Sequence, residues 1–391
     1  MLGNLNPFNR PIITKTINKL VGYGADCEAS DIQLEIIADG SLEVKYKVFG
    51  QFADSLYLEP NIAQGVFNKL KHLAALDAKH TNGALTLQPD NRNLKLGASL
   101  IKTGRGEIIN LKIKPLQREL FFLDELGLQQ DQFKLIEANL YGKGLTIISG
   151  PAGSGKTTAA FSYLLACNSI NFNIYSLAAE ELLKLKGINQ VVIKNQTARG
   201  WNEALAAVAK QDADIIYLAE PPVDMDAGVL AALSSSKIII ISLEAASNLE
   251  ALKKLTVSNL YSTAAEARFN LLINQRLARR LCPRCAFSYN IDEQIFADLN
   301  LSFEILDQDL IGLELFHAQG CAQCGYTGYL GQLGLFEVAK PGQDLSRLLM
   351  IKNYSQTKDL LNQATELSLT EDGFIKALKG LTTIEELKRV I

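Results

Sequence analysis

Residues Gly150-Pro151-Ala152-Gly153-Ser154-Gly155-Lys156-Thr157 fit the pattern GxxxxGK[ST] without a mismatch. Each residue type has a task in holding a phosphate. Glycines let the backbone curl until several N–H groups converge on one anion. The N-terminus of a following helix adds partial positive charge. Lys156 has the reach to touch β- and γ-phosphates, and the Thr157 hydroxyl can ligate Mg²⁺. Thr158 carries the loop into the helix. The apolar segment LTIIS (145–149) before the loop reads as a strand, and TTAAFSYLL (157–165) after it reads as a helix, which is the context the chemistry requires. A Gly-rich turn with no ligand is the plain alternative. Glu220 closes the apolar segment DIIYLA (214–219). A carboxylate there would face the carboxyl edge of an open α/β sheet, where ligands bind, and could hold Mg²⁺ and its waters as the catalytic acid. A solvent-facing acid at a strand end is the competing reading.

Four of the six cysteines form two CxxC pairs, Cys282-Pro-Arg-Cys285 and Cys321-Ala-Gln-Cys324; Cys27 and Cys167 stand alone. Each CxxC turn can aim two thiolates at one ion, and two turns complete a tetrahedral S₄ set, the arrangement of a closed structural Zn²⁺ site. A redox CxxC or four free thiols are the alternatives, although a redox pair normally stands alone near a thioredoxin-like pattern. The histidines are His72, His80 and His317. His317 lies close enough to Cys321 to compete as a ligand, and an ordinary histidine is the simpler reading. Arg276, Arg279, Arg280 and Arg284 cluster around the first pair and could contact nucleic acid or merely form a solvated or subunit-facing surface.

The elements that must position these residues follow from pattern and composition. The chain has 391 residues, 48% apolar and 21% charged, which are ordinary globular values and exclude a disordered or collagen-like chain. The length is compatible with two to three domains. A net charge of −3 and a pI near 5.8 argue against a protein that coats nucleic acid or an anionic membrane. MLGNLNPFNRPIITK has no apolar core of a signal peptide. The most apolar stretch, KIIIISL (237–243), is far shorter than the roughly 20 residues of a membrane helix, so a soluble, intracellular chain is expected.

Residues 1–118 read as an α+β domain. DIQLEII (31–37) and LEVKYKVF (42–49) alternate in part and flank Asp39-Gly40, a hairpin turn. Residues 61–76 have helical spacing at Ile62, Val66, Leu70 and Leu73. EIINLKIK (107–114) alternates again and Pro115 ends it, which places a boundary near 115–120. From 119 to 391 short apolar strands at 145–149, 173–177, 214–219 and 237–243 alternate with helical patterns, the rhythm of a mostly parallel sheet covered by helices. The tetracysteine segment, 282–324, interrupts that rhythm, and 340–391 reads as a helical tail.

The chain resembles the type II secretion and type IV pilus assembly ATPases over most of its length. ASDIQLE (29–35) with the K-x-x-G step Lys47–Gly50, LDELGL (123–128), GINQV (187–191) and QDADII (211–216) carry the resemblance upstream. QRLARRLCPRC (275–285), GCAQCGYTGYLGQLGLFEV (320–338) and EDGFIKALKGLTTIEELKRV (371–390) carry it downstream. The resemblance implies a RecA-like P-loop NTPase domain with a zinc-binding insertion, preceded by a small α+β, PAS-like domain. It implies ATP, Mg²⁺ and Zn²⁺ as cofactors, and it points to the assembly and secretion branch rather than the retraction branch. It further implies a homohexamer, or a mixed hexamer with a paralogue, in which one subunit's N-terminal domain closes over its neighbour's nucleotide. An inner-membrane platform protein is the implied partner at the cytoplasmic face, with no direct nucleic acid.

Departures from the family pattern are as informative. The family's acidic box, V-E-D-P, falls on Leu177-Ala178-Ala179-Glu180, so both aligned acids are alanines. Its G-E-I-R-D falls on Ala219-Glu220-Pro221-Pro222-Val223, keeping the glutamate and losing the arginine. Its T-L-H-T-N falls on Ser242-Leu243-Glu244-Ala245-Ala246, with Glu244 for histidine, and the arginines before QDPD fall on Glu203 and Ala206. A slide of one or two places would let Glu180 or Glu181 serve as the acid. The pattern of losses implies an ATP-binding motor subunit with weakened hydrolysis. The alternatives are a degenerate nucleotide-binding scaffold or regulator of an active paralogue, and a nucleic-acid-dependent ATPase.

Overall fold

The computed structural model describes residues 11–391 apart from 53–54, 115–119, 169, 181–182, 184, 223, 226, 258–267, 293, 300, 302–312 and 343. The start of the chain read for a signal peptide, and the Pro115 stop, therefore lie largely or wholly outside the described residues. The chain divides into two compact units, Met1–Arg118 and Glu119–Ile391.

The first unit contains α1 (Pro11–Asp26), β1 (Ala29–Ile36), β2 (Leu42–Val48), β3 (Gln51–Phe52), β4 (Leu56–Leu58), α2 (Pro60–Leu73), β5 (Asn82–Leu87), β6 (Leu94–Thr103) and β7 (Gly106–Lys114). Its sheet runs β3-β2-β1-β7-β6-β5, with β4 also paired to β2, and the pairings are antiparallel. Alternate residues are buried, among them Ile32 and Leu34 of β1, Leu42, Val44 and Tyr46 of β2, and Leu94, Leu96 and Leu100 of β6. That alternation is what one covered face requires. Helices α1 and α2 cover it with Ile13, Ile17, Val66 and Leu70. A Cβ at Gly24 would come within 2.9 Å of Ile32 Cδ1, so α1 rests directly on the sheet. Helix α1 and strands β5 and β6 are additions to the elements read from the sequence.

The second unit contains α3 (Gln130–Ala138), β8 (Gly144–Gly150), α4 (Lys156–Cys167), β9 (Ile174–Ala178), β10 (Ile188–Val192), α5 (Ala198–Ala209), β11 (Ile215–Ala219), α6 (Ala227–Ser234), β12 (Ile238–Glu244) and α7 (Asn248–Val257). There follow β13 (Phe269–Leu281), β14 (Ala286–Asn290), α8 (Gln294–Leu299), β15 (Glu314–Ala318), β16 (Tyr329–Ala339), α9 (Asp344–Met350), α10 (Tyr354–Ala364), α11 (Leu369–Leu378) and α12 (Ile384–Val390). The main sheet runs β10-β9-β11-β12-β8-β13-β16. It is parallel from β10 to β13 and antiparallel at its last pair. Apolar runs form its strands because both faces are covered. Ile216, Leu218, Ile239 and Ile241 enter the core on one face. Their neighbours Ile215, Tyr217, Ile238 and Ile240 enter the core on the other. Among the described residues no helix is long and apolar enough to cross a membrane.

The last two helices are fastened by buried carboxylates. Asp372 accepts from the Phe336 N–H at 2.8 Å, from Lys376 Nζ at 2.6 Å and from Gln129 Nε2 at 2.9 Å. Glu386 accepts from the Arg279 N–H at 2.8 Å and from Arg279 Nε and Arg389 Nε at 2.9 and 2.8 Å. Burial alone would raise the Glu386 carboxyl. Its bonds to Arg389 and Arg279 outweigh burial and hold it below the ordinary glutamate value.

Asp372→Ala strands Lys376 in the interior and should lower unfolding free energy by about 3–5 kcal/mol in urea titrations. Glu386 has a depressed folded pKa, so its contribution is complete above the unfolded glutamate pKa and is lost as pH falls through the folded value. Urea midpoints measured below pH ~4.3 should therefore depend less steeply on pH in Glu386→Gln than in the wild type.

Candidate functional site

The phosphate-type loop sits at the tip of β8, a strand buried along its whole length. Gly153 and Gly155 turn the chain with φ of +75° and +86°, a region open to glycine at little cost. Helix α4 then begins at Lys156 with no side chain capping its first turn, which leaves N–H groups directed at the loop interior. Lys156 is only 4% exposed. Its Nζ donates to the Gly150 and Pro151 carbonyls at 3.1 and 3.0 Å and pairs with Glu220 Oε1 at 3.0 Å. Three ammonium protons therefore meet three oxygens.

Glu220 follows β11 with φ +51°, an uncommon conformation for a residue with a side chain. Its N–H donates to Ser242 Oγ at 3.1 Å, and Ser242 Oγ lies 3.2 Å from the Tyr217 hydroxyl. Register brings these parts together: Ala219 is opposite Ser242 on β12, and Glu244 is opposite Gly150 on β8. A cavity of about 310 Å³ opens beside them, lined by Glu220, Pro221, Pro222, Leu243 and Glu244 among others. The Glu244 carbonyl accepts from Lys254 Nζ at 2.6 Å.

The remaining positions that the resemblance matched to family groups are spread over the end of β9 and over α5. Ala178 ends β9 and is buried, while Glu180 is exposed. Glu203 is exposed on α5 and pairs with Arg199 at 2.8 Å. Ala206 is half-buried on the same helix. Glu181 and Val223 lie outside the described residues.

Sequence reasoning missed the floor of the loop. Asn274 Nδ2 donates to Ser149 Oγ at 2.7 Å, Asn248 Nδ2 donates to Glu337 Oε1 at 2.8 Å, and Arg276 donates to the Asn274 side chain at 3.1 Å and the Gln275 carbonyl at 3.0 Å. Burial raises the Glu337 carboxyl, against the pull of Asn248 and Arg276, and lowers the Arg276 guanidinium. The signal was present: Asn274-Gln275-Arg276 interrupts an apolar strand, and polar side chains buried there require partners.

The cysteines meet at the far end of the same strand pair. β13 and β16 run antiparallel until Leu281 faces Tyr329, so Cys282 emerges beside the turn that holds Cys321 and Cys324. The four Sγ atoms all lie within 4.8 Å of one another, with Cys282–Cys321 at 3.9 Å and Cys285–Cys324 and Cys321–Cys324 at 3.8 Å. Thiolates about 2.3 Å from a tetrahedral ion stand about 3.8 Å apart, so the four sulfurs could hold one metal ion. The clustered thiols act on one another in opposite directions: burial acts to raise Cys324, but N–H groups of Cys321 and Gly328 and the neighbouring thiols bring it down to about 6, whereas burial and the neighbouring thiols push Cys285 up to about 12. His317 is not part of the group. It stacks on Tyr289 with ring centroids 4.0 Å apart, and its Nδ1 lies 3.0 Å from Glu385. The arginine cluster is also divided: Arg276 is buried and Arg279 lies over the Tyr329 ring at 3.9 Å while paired to Glu386, leaving Arg280 and Arg284 exposed.

Solved structures of similar shape include an ATPase and a pilus retraction motor. The Legionella pneumophila ATPase DotB superposes with a TM-score of 0.62 at 15% identity, over 96% of this chain and 94% of that one. The pilus retraction motor PilT with bound ADP gives 0.56 at 15% identity, over 95% and 96%. The fold is thus the mixed α/β fold of DotB and PilT. Sequence similarity then identifies the family: the profile described as Type II/IV secretion system protein matches residues 8–389, and the chain belongs to that family. Type II secretion system protein E of Pseudomonas aeruginosa is 26% identical over 97% of this chain and 75% of its own length. Type IV pilus assembly ATPase PilB of Acinetobacter baylyi is 28% identical over 97% and 66%.

Elemental analysis of gently purified protein should find one metal ion per chain. Cys282→Ser or Cys321→Ser should raise amide hydrogen exchange in residues 280–340 more than in β8 and α4, as read by mass spectrometry.

Proposed function

We propose that this chain is an ATP-binding motor subunit of a secretion or pilus-assembly machine whose hydrolysis is weakened. The observation that carries the reading is the loop at the tip of β8, with its uncapped helix start and with Lys156 and Glu220 in contact at 3.0 Å. In this reading Gly150 to Thr158 hold Mg·ATP, with Lys156 on the terminal phosphates and Thr157 on Mg²⁺. Glu220 is the acid that supports the metal and its waters. The unit from 119 to 391 is the RecA-like nucleotide domain, and the unit from 1 to 118 is a separate α+β domain. Cys282, Cys285, Cys321 and Cys324 hold a structural Zn²⁺, supported by sulfur spacings that suit a tetrahedral ion.

Weak turnover follows from charge. Phosphoryl transfer depends on aligning water and offsetting charge on the leaving γ-phosphoryl group, and a transition-state arginine is worth about 10³–10⁵ in rate. At the positions matched to the family's groups stand Ala178, Ala179, Glu203, Ala206 and Glu244. The methyls cannot hydrogen-bond, and the acids carry the wrong sign. Copies of the same chain in a homohexamer would bring the same substitutions, whereas a mixed hexamer with an active paralogue would not. That second arrangement, a nucleotide-binding scaffold or regulator, rests on the same substitutions. An inner-membrane platform protein at the cytoplasmic face is the partner in either case.

Mg·ADP at 100 times its dissociation constant should stabilise the protein by about 2.7 kcal/mol, read as a thermal shift that Lys156→Ala abolishes. Steady-state hydrolysis of the zinc-replete protein should fall well below about one turnover per second. A faster rate that Glu220→Gln removes would mean an ordinary motor.

A further inference from the structure

Among the described residues two buried side-chain polar atoms have no hydrogen-bond partner, Ser154 Oγ and Gln275 Oε1. Both residues are almost wholly buried, at 4% and 2% exposed. Native interiors rarely leave such atoms unpaired, and each orphan costs on the order of a lost hydrogen bond. Both lie under the same loop. A Cβ at Gly150 would meet Ser154 Oγ at 2.3 Å and the Gln275 carbonyl at 2.5 Å, and a Cβ at Gly155 would meet Gln275 Nε2 at 2.6 Å. The glycines thus leave room for these two side chains and for little else. Their chemistry is complementary, because a serine hydroxyl can donate and a carboxamide oxygen can accept.

We propose that Gln275 is a positioning residue of the nucleotide loop, and that its Oε1 accepts a hydrogen bond from the Ser154 hydroxyl when bound phosphates draw the loop closed. The inference rests on the nucleotide-binding reading above. Gln275 touches no phosphate in it; the side chain braces the loop from beneath. While unpartnered, Ser154 Oγ and Gln275 Oε1 each carry the cost of an unmade hydrogen bond, and the bond formed with phosphate bound removes it. The bond therefore belongs to the bound state and adds to nucleotide affinity rather than to the stability of the free protein.

The test uses full-length Gln275→Met, Ser154→Ala and the double variant, with Mg·ADP as the probe. Each single variant should bind Mg·ADP about tenfold more weakly, while its ligand-free unfolding midpoint stays level or rises. The double variant should lose no more affinity than the weaker single, because both remove one bond. Affinities within twofold of wild type, or losses that multiply in the double variant, would overturn the proposal. A ligand-free midpoint that falls together with affinity would also overturn it, since the pair would then be a fixed structural contact. If the wild type shows no Lys156-dependent binding of Mg·ADP, the nucleotide reading falls and the brace falls with it. If the wild type binds and the Gln275 variant binds equally well, only the brace falls.

Discussion

A parallel strand buried on both faces can present polar chemistry only at its end, and β8 is such a strand. Its side chains are committed to two apolar cores, one holding Ile147 and the other Ile148. Its backbone is committed to β12 on one side and β13 on the other. What remains is the tip, where Gly150 leaves the sheet and α4 begins. The same constraint acts on β11 and β12, so Glu220 and Glu244 emerge at the same edge. Lys156 returns into this edge and meets Glu220.

The polar residues beneath the loop follow from that arrangement. β13 carries Asn274, Gln275 and Arg276 into a region where no solvent can satisfy them, so each needs an internal partner. Asn274 and Arg276 find theirs in Ser149 and in the Gln275 and Ala246 carbonyls. Gln275 does so only in part. Beyond the loop, β13 continues to Leu281 and delivers Cys282 to the cysteine group. One strand pair, β13 with β16, therefore spans both the floor of the loop and the metal-type cluster. Helices α11 and α12 close over that pair through Asp372 and Glu386, each of which bonds a strand N–H as well as a cation.

The carboxyl edge carries charge of both signs, with Lys156 paired to Glu220 at 3.0 Å. The cavity next to the loop has Glu220 and Glu244 on its wall and Lys254 turned to the Glu244 carbonyl. Arg199 of α5 is paired with Glu203 at the surface.

Much of the molecule was legible in the residues alone, wherever the signal was local. The GxxxxGKT loop and the two CxxC turns depend on neighbours in sequence, because backbone geometry over a few residues decides where an N–H or a thiol points. Strands β1, β2, β8, β11 and β12 were legible as well, since alternating or continuous burial is written directly in apolar spacing. Strands β13 and β16 were harder, because their polar residues face an interior network that exists only once β8, β13, β16 and α7 have assembled. The contact of Lys156 with Glu220 and the unpaired Ser154 and Gln275 were decided by tertiary structure alone. Glu220 is distant from Lys156 in sequence and is brought to it by the order β11-β12-β8, while the pairing of β8 with β13 sets Gln275 beneath the loop.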